Sequence, residues 1–252
     1  MSKIALITGA TSGIGEACAH LFAREHYNLV LTGRRTDRLE KLAEKLNAEF
    51  NVEVAVATFD VRDRGQVIGA LENLPAKWKK VDVLINNAGL SQGLDPIQNG
   101  SLDDWDTMID TNVKGLLYVS KVVCNWMISN QTGHIINLGS IAGKEVYPNG
   151  NVYCASKHAV DALSQGMRID LLPYGIKVTA VHPGAVETEF SEVRFKGDKE
   201  RAKKVYAGFE PLVAGDIAET IWFAVSRPAH VNINELIVMP TAQASATNIF
   251  RK

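Results

Sequence analysis

Two polar residues separated by one helical turn, together with an upstream serine, have the residue types of a proton-transfer site. Tyr153 and Lys157 stand at positions i and i+4 of the segment Tyr-Cys-Ala-Ser-Lys. On a helix these positions share one face, so the phenol and the ammonium can approach a common point. A fixed cation favours the phenolate, and we therefore expect Lys157 to lower the pKa of Tyr153 from ~10 towards the working range. Ser140 follows a predicted strand, at the sheet edge where open α/β sheets bind ligands.

A glycine-rich turn near the start of the chain has the composition of a phosphate-binding loop. The segment Thr-Gly-Ala-Thr-Ser-Gly-Ile-Gly begins at Thr8, and a helix is predicted from about Gly13. Glycines permit tight backbone angles, and a helix N-terminus offers unpaired N–H groups to an anion. Such turns also occur at many strand–helix joints without function, but this one follows the first strand of a predicted βαβ unit. It lacks the Gly-Lys-Ser/Thr of a P-loop.

Two arginines after the second predicted strand indicate which dinucleotide the loop would take. NAD-selective sites place a carboxylate here, whereas this chain has Gly33 followed by Arg34 and Arg35. Guanidinium groups pair with a 2′-phosphate through charge-assisted hydrogen bonds. Alternatively, both arginines could be surface residues without a function at the start of the next helix. This explains them poorly, because cations are unfavourable at a helix N-terminus. The pattern favours NADP.

Unbroken apolar runs alternate with helical patterns along the whole chain, which predicts a parallel sheet covered by helices on both faces. A helix is predicted at 36–50, where leucines recur at helical spacing. The fold class is α/β: a doubly wound, Rossmann-type domain with a seven-stranded parallel sheet, and we interpret residues 1–252 as one domain. The predicted strands are 4–8, 28–32, 53–59, 82–86, 134–138, 177–181 and 235–239.

One polar connection, at about 188–211, interrupts this alternation. It is rich in lysine and arginine and long for a connection without a strand. Such segments often form lids over a site, but a solvated amphipathic helix would have the same composition. Both interpretations remain open from the sequence.

Composition excludes several other classes of protein. Lys plus Arg number 27 and Asp plus Glu 28, which argues against a nucleic-acid binder. Three cysteines without a Cys-x-x-Cys pair argue against a disulfide framework and favour a reducing, cytoplasmic setting. No apolar run is long enough for a membrane span, and the six histidines lack the spacing of a metal site.

Further motifs lie between and after the glycine turn and the Tyr153–Lys157 pair. The full set is Gly9, Gly13 and Gly15 in the first turn, Asn86-Asn87-Ala88-Gly89, Asn112, Ser140, Tyr153 with Lys157, and Pro183-Gly184. In order and spacing this set resembles the motifs of the short-chain dehydrogenase/reductases, and the resemblance covers essentially the whole chain. More narrowly, the chain is similar to the bacterial NADP-dependent 3-hydroxy acid dehydrogenases in Gly33-Arg34-Arg35 and in the segments 193–198 and 228–234.

The resemblance implies a role for each matching position. Tyr153 would exchange a proton with the substrate hydroxyl, Lys157 would assist it, Ser140 would stabilise the alkoxide and Asn112 would anchor a proton relay. The family also implies a homotetramer with a four-helix interface. The cofactor-binding positions implied are Gly9, Thr11, Ser12, Ile14, Asp60, Val61, Asn87, Tyr153, Lys157, Val186 and Thr188, beside Arg34 and Arg35.

The resemblance also implies a small 3-hydroxy acid such as L-serine, or the matching semialdehyde, as substrate. Its carboxylate needs a cation, and we expect Arg194 or Lys196 of the 188–211 segment to supply it, Arg194 being favoured for its bidentate fork. A broad carbonyl or 3-oxoacyl reductase would share the same catalytic residues. A catalytically silent NADP-sensing protein would have no need of a proton donor.

Overall fold

The computed structural model describes residues 2–252, and its central feature is a seven-stranded sheet in which every described strand pair is parallel. The strands of this sheet are β1 Ile4–Thr8, β2 Asn28–Gly33, β3 Val54–Thr58, β4 Val83–Asn86, β5 His134–Leu138, β6 Lys177–Pro183 and β9 Glu235–Val238. Their order in the sheet is β3-β2-β1-β4-β5-β6-β9, which reverses direction after β1, as in a doubly wound fold. The predicted fold class and strand set are confirmed, with bounds within two residues.

Helices pack on both faces of the sheet and enclose two apolar clusters, one on each side. The strands β1, β4 and β5 are buried along their full length, which explains their unbroken apolar sequence. The α-helices are α1 Gly13–Arg24, α2 Thr36–Phe50, α3 Arg64–Glu72, α4 Leu102–Ile109, α5 Leu116–Asn130, α6 Asn151–Asp170, α7 Phe190–Arg194, α8 Lys199–Tyr206 and α9 Ala214–Val225.

The helical stretch from α4 to α5 is not one regular α-helix. A π-helical turn at Asp110–Gly115 separates α4 from α5. Gly115 lies so close to Val61 that a Cβ atom would sit 2.8 Å from its side chain. The wider turn brings Asn112 inward, where it forms hydrogen bonds with Leu90.

The connection 188–211 folds into two short helices, α7 and α8. It is bounded by a second small sheet in which β7 Val186–Glu187 pairs with β8 Leu212–Val213. The Tyr206 hydroxyl at the end of α8 donates to the Val186 carbonyl over 2.8 Å, which ties the segment to its own base. The segment is therefore helical: α8 buries Ala202 and exposes most of its charged residues, while Tyr206 at its end is tied to β7.

Cys18, Cys124 and Cys154 are all free thiols. Within residues 2–252, none of the helices combines the length and apolar character that crossing a membrane would require.

One aromatic cluster joins α1 to α9 and provides a test of the packing. Phe22 is fully buried and makes edge-to-face contacts with Tyr27 and Trp222, at ring-centre distances of 5.2 and 5.4 Å. Phe22→Ala removes this packing and leaves a cavity, and we expect it to lower the free energy of unfolding by about 3–5 kcal/mol. Urea unfolding at fixed protein concentration measures the change. The matched control Phe250→Ala, at an exposed position, should stay within about 0.5 kcal/mol.

Candidate active site

The predicted site residues gather along one edge of the sheet because parallel strands all end there. Gly9 follows β1, Arg34 and Arg35 follow β2, Asn87 follows β4, and Ser140 follows β5. Residues 60–61 follow β3 and residues 186–188 follow β6, while α6 delivers Tyr153 and Lys157 to the same edge. The sequence motifs thus meet in one cleft.

The glycine turn after β1 is packed too tightly for side chains. Gly9 has φ +66°, and a Cβ atom on Gly15 would lie 2.4 Å from the Gly9 carbonyl oxygen. Asn87 holds the turn from the neighbouring strand, since its Nδ2 donates to the carbonyl oxygens of Thr8 and Gly9 over 2.9 and 3.2 Å. Asn87 thus stabilises the glycine turn as well as lining the cleft. Ile14, by contrast, points towards the hydrophobic core.

Arg35 is bound to the glycine turn, whereas Arg34 is more exposed. Arg35 donates through Nη2 to the hydroxyls of Thr11 and Ser12 over 2.7 and 3.1 Å. Arg34 extends towards Asp60, with 3.9 Å between Nη1 and the nearest carboxylate oxygen. Arg35 is therefore directed to the glycine turn and Arg34 to the residue that follows β3.

Asp60 and Val61 line the next part of the cleft, after β3. Arg62 forms an ion pair with Asp60 over 2.6 Å. Burial opposes ionisation of Asp60, but the hydrogen bonds and charge of Arg62 outweigh it and lower the pKa of the carboxyl. Asp60 is thus ionised, and Val61 is buried against the π-turn.

Thr188 lies against the start of α1. A Cβ atom on Gly13 would come within 3.3 Å of the Thr188 side chain. Val186 is held in the small sheet through its pairing with Leu212, and its side chain packs against the hydrophobic core.

Tyr153 is buried, with 7% of its surface exposed, and burial is the largest effect on its phenol. Burial raises the pKa of Tyr153, while the charge of Arg194 and the nearby Ser140 hydroxyl oppose the rise. The pKa of Tyr153 is thus raised in this structure, in the opposite direction to the shift expected from Lys157. The Lys157 Nζ lies 6.0 Å from the centre of the phenol ring.

Lys157 reaches the end of β5, where its Nζ donates to the Leu138 carbonyl oxygen over 2.8 Å. Desolvation lowers the pKa of this buried ammonium to about 8. Asn112 lies close by: a Cβ atom on Gly89 would be 3.3 Å from Asn112 Oδ1 and 3.4 Å from Lys157 Nζ. The structure thus brings Asn112 and Lys157 to the same point, although Asn112 directs its hydrogen bonds to Leu90 and Ser156.

Ser140 is supported from behind by a buried histidine. Nδ1 of His182 lies 3.2 Å from the Ser140 carbonyl oxygen, and its Nε2 lies 3.5 Å from Asp161. Asp161 and Glu235 together with His182 form a cluster of potential metal ligands. The Lys144 ammonium lies between both carboxylates, at 3.0 and 2.6 Å, so the negative charge of the cluster already has a cation.

Arg194 lies over the phenol, whereas Lys196 lies at the rim. The guanidinium carbon of Arg194 is 5.2 Å from the centre of the Tyr153 ring, and Nη2 donates to the Tyr147 hydroxyl over 2.9 Å. Its buried Nε atom has no partner among the described residues. Lys196 forms an ion pair with Asp104 over 2.9 Å and is largely exposed. Of the two cations, Arg194 is the one beside the candidate acid–base group.

Three contact residues of the site were not named from the sequence. Tyr147 bonds Arg194, Phe190 packs against the Tyr153 ring at 5.6 Å, and His182 supports Ser140. Tyr147 stands between two predicted site residues, and this is the only signal the sequence offers for it. Phe190 and His182 become visible only once the 188–211 segment and β6 are placed in three dimensions.

The chain belongs to the short-chain dehydrogenase family. The family model described as "short chain dehydrogenase" matches residues 3–199. The chain is 46% identical over 244 residues to the "NADP-dependent 3-hydroxy acid dehydrogenase YdfG" of Salmonella typhi, which covers 96% of this chain and 97% of that relative. It is 47% identical over 245 residues to "Sulfoacetaldehyde reductase 2" of Chromohalobacter salexigens, covering 97% and 96% of the two chains.

A solved structure agrees with this assignment. The fold is similar to that of the closed form of a serine dehydrogenase complexed with NADP⁺, with a TM-score of 0.91 and 43% identity. The match covers 99% of this chain and 100% of that one. The resemblance recognised from the sequence motifs is confirmed.

The buried ammonium of Lys157 makes a prediction about stability and pH. Because its pKa is about 8 when folded and ~10.4 when unfolded, the unfolded chain holds the extra proton between these values. Stability therefore rises with pH through this window, and the cost of burying the charge is complete below pH 8. We expect Lys157→Met to raise the free energy of unfolding at pH 7 by up to about 3 kcal/mol, less the lost hydrogen bond to Leu138. Urea unfolding at pH 7 and pH 9.5 should show this gain shrinking; a gain that does not vary with pH would contradict the assignment.

Proposed function

We propose that this protein is an NADP(H)-dependent oxidoreductase that transfers a hydride between the nicotinamide and a small 3-hydroxy acid or the matching semialdehyde. The observation that carries the proposal is the position of Arg194, whose guanidinium lies over the Tyr153 ring and is oriented by Tyr147. A substrate carboxylate bound by Arg194 would place the neighbouring hydroxyl close to the phenol. The names of the YdfG relative and of the serine dehydrogenase support the same chemistry.

The cleft has the donor set that an NADP molecule requires. The N-terminus of α1 and the glycine turn suit the pyrophosphate, through Gly9, Thr11, Ser12 and the backbone N–H of Ile14, whose side chain packs in the core. Arg34 and Arg35 suit the 2′-phosphate. We assign the adenine end to Asp60 and Val61, the central part to Asn87, and the carboxamide end to Val186 and Thr188.

When bound, the nicotinamide supplies the hydride acceptor and donor. The residues of the chain then orient the substrate and move the proton. For oxidation, Tyr153 would first pass its own proton to the relay that begins at Lys157 and Asn112, and the phenolate Oη would then take the hydroxyl proton of the substrate. For reduction, the phenol would give its proton to the substrate oxygen and recover one from the relay, while Ser140 Oγ donates a hydrogen bond to the developing alkoxide. Lys157 holds a positive charge behind the phenol, and Asn112 lies where a relay to Lys157 would start.

Several broader features belong to the same proposal. We propose one domain over residues 1–252 with a lid at about 188–211, supported by the continuous sheet and by the position of α7 over Tyr153. We also propose a homotetramer in the cytoplasm. Exposed apolar residues on α5 and α6, among them Leu117 and Ile169, support a helical interface, and light scattering would test the tetramer.

Two other functions remain distinguishable by experiment. A broad carbonyl or 3-oxoacyl reductase would accept neutral carbonyl compounds as readily as acids. A silent NADP-sensing protein would show no change at the NADPH absorbance band with any substrate. A panel of L-serine, L-allo-threonine, 3-hydroxypropionate, sulfoacetaldehyde and neutral secondary alcohols separates these functions, and sulfoacetaldehyde belongs in it because a guanidinium also pairs with a sulfonate.

Removal of the candidate acid–base group should abolish turnover and leave cofactor binding in place. We expect Tyr153→Phe to lower kcat by at least about 10²-fold, since the variant has no proton to exchange. NADPH affinity, measured by fluorescence titration, should change by less than a few-fold. The control Tyr174→Phe, at an exposed position with no role in the site, should retain kcat. Retained activity in Tyr153→Phe would remove this phenol from the mechanism.

The role of Arg194 can be separated from that of its neighbour Lys196. Arg194→Gln should raise KM for a 3-hydroxy acid by about 10- to 100-fold, the loss expected for a charge-assisted hydrogen-bond pair. KM for a neutral alcohol should stay nearly constant. Lys196→Gln should have a smaller effect, because Lys196 is exposed and already paired with Asp104. Equal effects of Arg194→Gln on both substrates would refute a carboxylate-binding role.

A further inference from the structure

A carboxylate of the lid segment lies between two arginines at the end of the cleft assigned to the 2′-phosphate. The Glu189 side chain contacts Arg35 Nη1 over 3.4 Å and Arg38 Nη1 over 3.2 Å. Burial opposes ionisation of Glu189, but the hydrogen bond from Arg38 and the charges of Arg35 and Arg38 lower its pKa. The carboxylate is therefore charged at neutral pH. Arg38 itself was not singled out by its sequence position.

The remaining donors of Arg35 are already engaged. Its Nε and Nη2 atoms donate to Thr11 and Ser12, which leaves Nη1 for Glu189. An incoming anion at this point must either displace the carboxylate or bind beside it. Either event costs free energy, because like charges repel and an ion pair is given up.

From this arrangement we infer that Glu189 is an internal competitor for the 2′-phosphate of the cofactor and thereby attenuates the preference of the site for NADP over NAD. The inference rests on the proposed function, since it takes the arginines to be the phosphate site. A phosphate monoester carries roughly −1.5 to −2 charges and displaces a single carboxylate. An unphosphorylated ribose brings no charge and does not compete.

The competing carboxylate is suited to rapid exchange. The Glu189 side chain is 50% exposed, and its arginine partners are 39% and 47% exposed. Exposed ion pairs of this kind each correspond to roughly a 1.5- to 5-fold factor in an equilibrium constant. Two of them are strong enough to hold the arginines in place before binding, and weak enough for the phosphate to replace them.

The test compares ligands that differ only in the 2′-phosphate. Dissociation constants of NADPH and NADH, and of 2′,5′-ADP and 5′-AMP, are measured by calorimetry for the wild-type protein and for Glu189→Gln. We expect the variant to bind NADPH and 2′,5′-ADP about 3- to 10-fold more tightly and to bind NADH and 5′-AMP within twofold of wild type. Glu192→Gln is the matched control: it removes the same charge three residues away on α7, and it should leave all four constants within twofold.

Three results would overturn the inference. Weaker binding of NADPH to Glu189→Gln would mean that Glu189 clasps the lid over the bound cofactor. Equal changes for phosphorylated and unphosphorylated ligands, or equal effects of the two variants, would mean that only the general charge or the fold had changed. A wild-type protein without any preference for the 2′-phosphate would refute the proposed NADP specificity itself, whereas the first three outcomes leave that specificity standing.

Discussion

The buried ammonium of Lys157 is the interaction around which the rest of the site is arranged. A cation in this position is costly because it has lost its water, and desolvation is the cause of its lowered pKa. It is tolerated because the end of β5 presents the Leu138 carbonyl oxygen at hydrogen-bond distance. The surrounding backbone closes tightly on the helix: a Cβ atom on Gly143 would lie 2.6 Å from the Lys157 carbonyl oxygen. A shift of α6 or of the loop after β5 would therefore expose the Lys157 ammonium to water or leave it buried without a hydrogen-bond partner.

The phenol beside it is desolvated by the same packing, which explains why burial governs both groups. Burial disfavours the phenolate and the ammonium alike, so the two effects push the pKa values of Tyr153 and Lys157 in opposite directions. A raised phenol pKa suits the donation of a proton to a developing alkoxide. Arg194 and Ser140 counter the rise. A substrate anion bound to Arg194 would neutralise part of its charge, so the pKa of Tyr153 would rise further. The phenol would then keep its proton until the developing alkoxide of the substrate accepts it.

The sequence predicted the parts of this protein that depend on local pattern. Apolar runs located the strands because burial on both faces of a parallel sheet requires them, and the helix at 36–50 was predicted with its observed bounds. The π-turn between α4 and α5 has no local signal of this kind, and Gly115 within it packs against Val61 from a distant part of the chain. The direction of the Tyr153 pKa shift was missed for a related reason. Spacing on a helix shows which groups are neighbours, but the balance between burial and charge depends on every element packed around them.

Ion pairs between residues far apart in the chain are the features that a sequence predicts least well. In this structure such ion pairs hold cations in place at both ends of the cleft. Glu189 meets Arg35 across 154 positions of the chain, and Lys196 meets Asp104 across the opposite rim. At each end a cation that an anionic ligand could use is held by a carboxylate of the protein. A guanidinium or ammonium left unpaired in a partly desolvated cleft would be costly and mobile, whereas one in an exposed ion pair is oriented at little cost. The near-neutral net charge of the chain is thus compatible with a cleft that binds anions. The carboxylates that balance its cations form ion pairs with them, and an anionic ligand can replace these carboxylates.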